Sequence, residues 1–176
     1  MAVKILIVVV IVVLGLAAFI ATRPAEFRVT RTATFAAPAP AVFAQVNELR
    51  KWEAWSPWAK KDPQMKQAYA GPAAGAGAVA SWVGNKDVGE GRMSIVESRP
   101  AELIRFKLEF FKPFTATHTA EFTFKPAGNQ TAVTWSMSGQ NNFIAKALHL
   151  VFDMDKMVGG DFEAGLASLK TIVDKK

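Results

Sequence analysis

Three hydrophobic patterns succeed one another along the chain. From Ile5 to Thr22 no position is charged, and Val, Ile and Leu dominate, so a helix there has no polar face. As a helix that run spans about 27 Å, the lower limit for crossing a bilayer. Lys4 and Arg23 flank it where their side chains can reach headgroups. From Phe27 the period becomes two. Phe27, Val29, Ala33 and Phe35 share one side, and Arg28, Thr30, Thr32 and Thr34 the other, with Arg31 interrupting the apolar side. Pro38 and Pro40 then introduce a helical stretch, Ala41 to Leu49, with Val42, Phe43, Val46 and Leu49 on one face.

After an aromatic segment, Trp52 to Trp58, period two returns. Six strands are predicted: Gln67–Ala70, Ala78–Val83, Gly89–Ser98, Glu102–Phe110, Thr115–Lys125 and Thr131–Gly139. Turn signals such as Gly84-Asn85-Lys86-Asp87, Arg99-Pro100 and Gly128-Asn129 separate them, and such short spacers favour antiparallel hairpins. The last segment is helical in spacing, from Phe143 through Leu150, Met154, Met157, Phe162, Leu166 and Leu169 to Val173, with Gly159-Gly160 as a kink site. The expected fold is α+β: a helix-grip arrangement, in which a curved antiparallel sheet wraps around a long C-terminal helix, preceded by one transmembrane helix. The expected division is residues 3–22 as anchor, 23–26 as linker and 27–174 as the domain.

Composition narrows this picture. The 176 residues include no Cys, which removes disulfides, thiolate nucleophiles and Cys metal ligands. The net charge of +6 is spread along the chain, which suits a surface near anionic headgroups. Nucleic acid is not an expected partner, because neither a basic cluster nor a stacking motif is present. A cleaved signal peptide is the rival to the anchor, but the run is longer than a signal core and small residues fit poorly at a cleavage site. Flanking charges nearly balance. The expected arrangement is a single-pass protein of a bacterial inner membrane, with the domain outside the cytoplasm. The apolar run has no GxxxG pair, so oligomeric state stays open.

Several pieces carry a family resemblance. They are Val29–Pro38 with Val42-Phe43, the segment Trp52–Trp58, Gly89–Ile95, Val133–Met137 and the helix Asp161–Leu169. Together they resemble the SRPBCC superfamily, also called START-like or birch-pollen-allergen-like, in its polyketide cyclase/dehydrase and lipid-transport branch. The resemblance spans nearly all of residues 27 to 173. It implies the helix-grip fold and a cavity between sheet and helix. It leaves function open, since the superfamily holds hydrophobic-ligand carriers, lipid-transfer domains, aromatase/cyclases and chaperone activators.

Alternation points Ile104, Phe106, Leu108 and Phe110 inward from one strand, and Ala116, His118, Ala120, Phe122 and Phe124 from the next. Val133, Trp135 and Met137 follow. The candidate ligand-binding set is Trp82, Phe106, Phe110, His118, Phe122, Trp135, Met137, Met154, Met157 and Phe162. Aromatic faces and flexible Met suit varied apolar ligands. The alternative is that these residues simply fill a core.

His118, among apolar neighbours, is the one inward polar candidate; a backbone-satisfied His is the alternative. His149 belongs at a helix edge. No catalytic set, metal site or cofactor is expected, since the two His are far apart and no HExxH or nucleophile elbow occurs. Asp153 and Asp155 fall on different helix faces, Asp161 and Glu163 read as solvated, Ser56 as a turn former, and Gly71–Gly77 as a loop. Trp52, Trp55 and Trp58 either close the cavity rim or meet the membrane interface. The expected function is membrane-anchored binding of a hydrophobic small molecule or lipid. The alternatives are a cyclase-like enzyme and an interaction module with a collapsed cavity.

Overall fold

The computed structural model describes residues 1–148, 150–151 and 153–174. Helix α1 (Ala2–Ala21) leads into β1 (Glu26–Phe35), α2 (Ala39–Asn47), a 3₁₀ turn (Leu49–Ala54) and α3 (Pro57–Lys61). Six strands follow: β2 (Lys66–Ala70), β3 (Val79–Val83), β4 (Glu90–Arg99), β5 (Leu103–Lys112), β6 (Ala116–Ala127) and β7 (Gln130–Gln140). Helices α4 (Phe143–Leu148) and α5 (Met154–Val173) complete the chain. The seven strands form one sheet in the order β1-β7-β6-β5-β4-β3-β2, every neighbouring pair antiparallel. This is the expected α+β helix-grip fold.

The period-two segments become strands because one sheet face is covered. In β6, Ala120, Phe122 and Phe124 are buried, while Thr119 on the other face is exposed. That outer face carries ion pairs: Arg92 and Lys107 both hold Glu109, and Arg105 bridges Glu97 and Glu121. Lys107 first, and Arg92 second, hold the Glu109 carboxyl below the usual carboxylate range. Register shifts in the β4–β5 ladder, at Glu90/Gly91 and Ile95/Glu97, bend the sheet.

Helix α5 covers the inner face with Phe162, Leu166, Leu169 and Val173. Gly165 lets it come close, since a Cβ there would press on Trp135 and Pro57. Arg31, which interrupted the apolar side of β1, reaches α5 instead. Its guanidinium contacts Asp155 (2.9 Å) and Glu163 (2.5 Å) and donates to the Asp155 carbonyl. That guanidinium packs against Gly159, where a Cβ would collide with it. The bond to Arg31 holds the Asp155 carboxyl below its ordinary range.

Two expectations are overturned. The C-terminal helix is not continuous with a kink at Gly159-Gly160. It breaks before Met154, where Asp153 caps α5 by accepting from the Lys156 N–H (3.0 Å). Second, Glu163 and Asp161 are not simply solvated: Glu163 pairs with Arg31 and Asp161 with Lys61 (2.6 Å). Pro57 separates the 3₁₀ turn that carries Trp52 from α3, which carries Trp58. His149 and the pair Lys175-Lys176 lie outside the described residues.

In α1 only Ile20 is buried, Ala17 is half-buried and the other residues are exposed. By length and composition it is able to cross a membrane, and a secretory signal meets the same test.

Candidate functional site

Between α5 and the inner face of the sheet lies a cavity of about 210 Å³. Aromatic side chains supply much of its wall. Trp82 comes from β3, Phe110 from β5, Trp135 from β7 and Phe162 from α5, while Trp52 and Trp58 come from the segment after α2. Met65, Met93 and Met137 also line it, as do Leu49, Leu108 and Val158. Small residues, Ala80 and Ala120, leave the space that larger ones would fill. An apolar void of about 150 Å³ already admits benzene.

Why the cavity stays open is a matter of rigid aromatic packing. Trp135 stacks on Phe162 with centroids 4.0 Å apart and planes 9° from parallel. On its other side it meets Phe122 at 4.7 Å. Trp52 and Trp55 pack edge-on against Trp135, and their indole N–H groups donate to the Val46 and Gln45 carbonyls. Buried donors are thereby satisfied, so these rings hold their positions. The Trp cluster serves packing: Trp55 is fully buried, Trp52 nearly so, and Trp58 partly.

Polar lining residues are few: Glu53, Ser56, Gln67, Ser81 and Asp161. The Tyr69 hydroxyl donates to Glu53 Oε1 (2.6 Å) and lies 2.8 Å from Gln67 Oε1. Burial, then the bond to Glu53, pushes the Tyr69 phenol well above its ordinary pKa, so it keeps its proton. Asp161 is tied to Lys61. Two of the carboxylates that reach the lining are thus bonded to protein partners. Among the described residues no three His, Cys, Asp or Glu side chains are grouped to hold a metal. Such a site can exclude water and offer dispersion contacts to an apolar guest.

The sequence-derived candidates divide into groups. Trp82, Phe110, Trp135, Met137 and Phe162 come together on the cavity wall. Phe106 and Phe122 are fully buried behind it, packed edge-on against Trp52. His118 lies at the end of the sheet between Phe27 (4.9 Å) and Phe110 (5.5 Å), off the wall. Its Nδ1 is buried without a hydrogen-bond partner, and burial pushes its pKa below the ordinary imidazole range. Met154 lines a separate open groove with Phe27, Val29 and Val151. Met157 is 57% exposed, because the inward face of α5 runs through Phe162, Leu166 and Leu169 instead.

The wall also holds residues that alternation did not single out. Met93 and Ala80 share the inward face of their strands and were accessible to that reasoning. Met65 and Val88 sit in turns, and Leu49 and Trp52 in a 3₁₀ turn, where period carries no information.

Comparisons place this architecture among known ones. In solved structures, protein MLL2253 from Mesorhizobium loti is similar with TM-score 0.62 and 12% identity, over 85% of this chain and 98% of that one. Ara h 8.0201 gives TM-score 0.57 at 12% identity, over 86% and 99%. The di-domain ARO/CYC BexL gives 0.60 at 17% identity, over 89% of this chain and 53% of its own. At these identities the likeness concerns the fold alone. No curated protein sequence matches the chain. The profile described as polyketide cyclase / dehydrase and lipid transport matches residues 26–174, and the chain belongs to that family, within the SRPBCC superfamily.

Proposed function

We propose that residues 27–174 bind a small apolar molecule in the cavity, and that residues 3–22 hold this domain at a membrane through the linker 23–26. The observation that carries the reading is the cavity: about 210 Å³, walled by Trp82, Phe110, Trp135, Phe162 and three Met, with Glu53 and Asp161 bonded to protein partners. A volume near that of one or two rings favours a compact aromatic or short-chain ligand over a whole diacyl lipid. Its Met residues suit a ligand of variable shape. The short tether favours capture and presentation at the membrane over carriage between compartments. A cyclase reading, drawn from neighbours such as the ARO/CYC BexL, has the fold in its favour and no cavity residue specific to it.

Native mass spectrometry of the full chain, released from membranes without delipidation, tests the binding reading. A bound apolar molecule of a few hundred daltons is expected. Bare protein from every preparation, together with no uptake of naphthalene, would sink it.

A further inference from the structure

The two ends of the sheet differ in what they expose. At one end lie the start of β1, the end of β7, and the β5–β6 and β3–β4 turns, as the registers Glu26↔Gln140, Phe110↔Ala116 and Val83↔Glu90 require. Helix α1 enters at this end, and α4 lies against it: Lys146 Nζ donates to the Ala21 carbonyl (3.2 Å). Here large apolar side chains stand in the open. Phe111, near the end of β5, is 49% exposed, and Phe114, in the β5–β6 turn, is 65% exposed. In α4, which lies against α1, Phe143 and Ile144 are 50% and 63% exposed, and Val151, in the turn after α4, is 78% exposed. Polar groups share this end: Lys86 and Asp87 in the β3–β4 turn, and Glu26, Lys66 and Lys112 at the strand ends. At the opposite end, the turns and the strand ends beside them carry Arg99, Glu102, Lys125 and Asn129.

The geometry points to a membrane-docking face: this apolar end rests in the headgroup layer of the bilayer that α1 crosses, with the β5–β6 turn and α4 inserted. The inference rests on reading α1 as an uncleaved anchor. From Ala21 to Glu26 the chain reaches about 17 Å at most. The headgroup layer is about 5–7 Å thick on each side. A span ending at Ala21 therefore keeps this end of the domain at the membrane surface, and α4, bonded to Ala21, lies level with the last turn of α1. Water would otherwise meet a cluster of exposed aromatic and aliphatic groups, which soluble surfaces avoid. Cavity residues Val88, Phe110 and Met65 belong to the same end, so docking faces the cavity toward lipid.

Because the chain has no Cys, a spin label can be placed at one site at a time. The variants Phe114→Cys, Ile144→Cys and Val151→Cys report the face, Asn129→Cys the far end and Val12→Cys the anchor. Full chains in phosphatidylethanolamine–phosphatidylglycerol nanodiscs are probed by collision with oxygen and with a water-soluble nickel chelate. Labels at 114, 144 and 151 are expected to share the oxygen-rich, nickel-poor signature of 12, and 129 to show the reverse. Nickel access at 114, 144 and 151 with a lipid signature at 12 overturns the docking face and leaves the anchor standing. Shielding of the three from both probes indicates a protein partner or second copy there and also overturns it. Nickel access at 12 refutes the anchor, and the docking face with it.

Discussion

The space between sheet and α5 is built two ways. Toward the C-terminus of α5, Leu166, Leu169 and Val173 meet Phe35, Val42 and Val46, and the inner face is closed and fully buried. Toward its N-terminus, Val158 and Phe162 face Ala80, Ala120 and Met137, and a cavity remains. One helix covers one sheet in both halves, so topology does not decide which half is hollow. Side-chain volume does. The Trp135–Phe162 stack is the partition, rigid enough that neither half collapses into the other.

This contrast is open to breaking. Trp135→Ala removes the partition and its contacts with Phe122, Trp52 and Trp55, so it is expected to lower unfolding free energy by about 3–5 kcal/mol. Chemical denaturation measures this, and a loss under about 1 kcal/mol would show that the stack carries little. Adding bulk separates the halves by sign. Val46→Phe, in the closed half, is expected to cost about 1–3 kcal/mol through overpacking. Ala120→Phe, in the hollow half, is expected to be neutral or to stabilise by about 0.5–2 kcal/mol while abolishing naphthalene binding in calorimetry. Equal destabilisation by both would mean that the hollow half is not hollow.

The smallest effect concerns His118. Its folded pKa lies below the ordinary value of about 6.5, because burial disfavours the charged ring. Between that value and its lower folded pKa, the unfolded state binds the extra proton. Stability is therefore expected to fall as pH drops below about 6.5 and to level off beneath the folded pKa. In His118→Leu that decline should flatten in pH-dependent melts, with ligand affinity little changed since the ring lies off the wall. An unaltered pH profile would remove His118 from the account.

Much of the fold was legible because the sheet has one covered face. Strict alternation in residues such as Ala120, Phe122 and Phe124 admits only one register of burial. The cavity was legible only in part, since period tells which way a side chain points and not what it meets. Phe106, Phe122 and Met137 share that inward pattern, yet two are packed solid and one borders the void. His118 points inward too, but its pairing with Gly139 sets it at the sheet's end, beyond the wall. The break before Met154 was hidden because an Asp cap looks like any surface Asp until the backbone turns. Arg31 read as an interruption because its partners, Asp155 and Glu163, lie over a hundred residues away.

Methionine provides the most direct test. Met65, Met93 and Met137 border the cavity, whereas Met1 and Met157 are exposed and Met154 lines the other groove. With methyl-¹³C methionine in the full chain, naphthalene is titrated in and the methyl resonances are followed. The account predicts saturable ring-current shifts at Met65, Met93 and Met137, with Met1, Met154 and Met157 unmoved. Shifts confined to Met154 or Met157, or no saturable shift at any methyl, would contradict it.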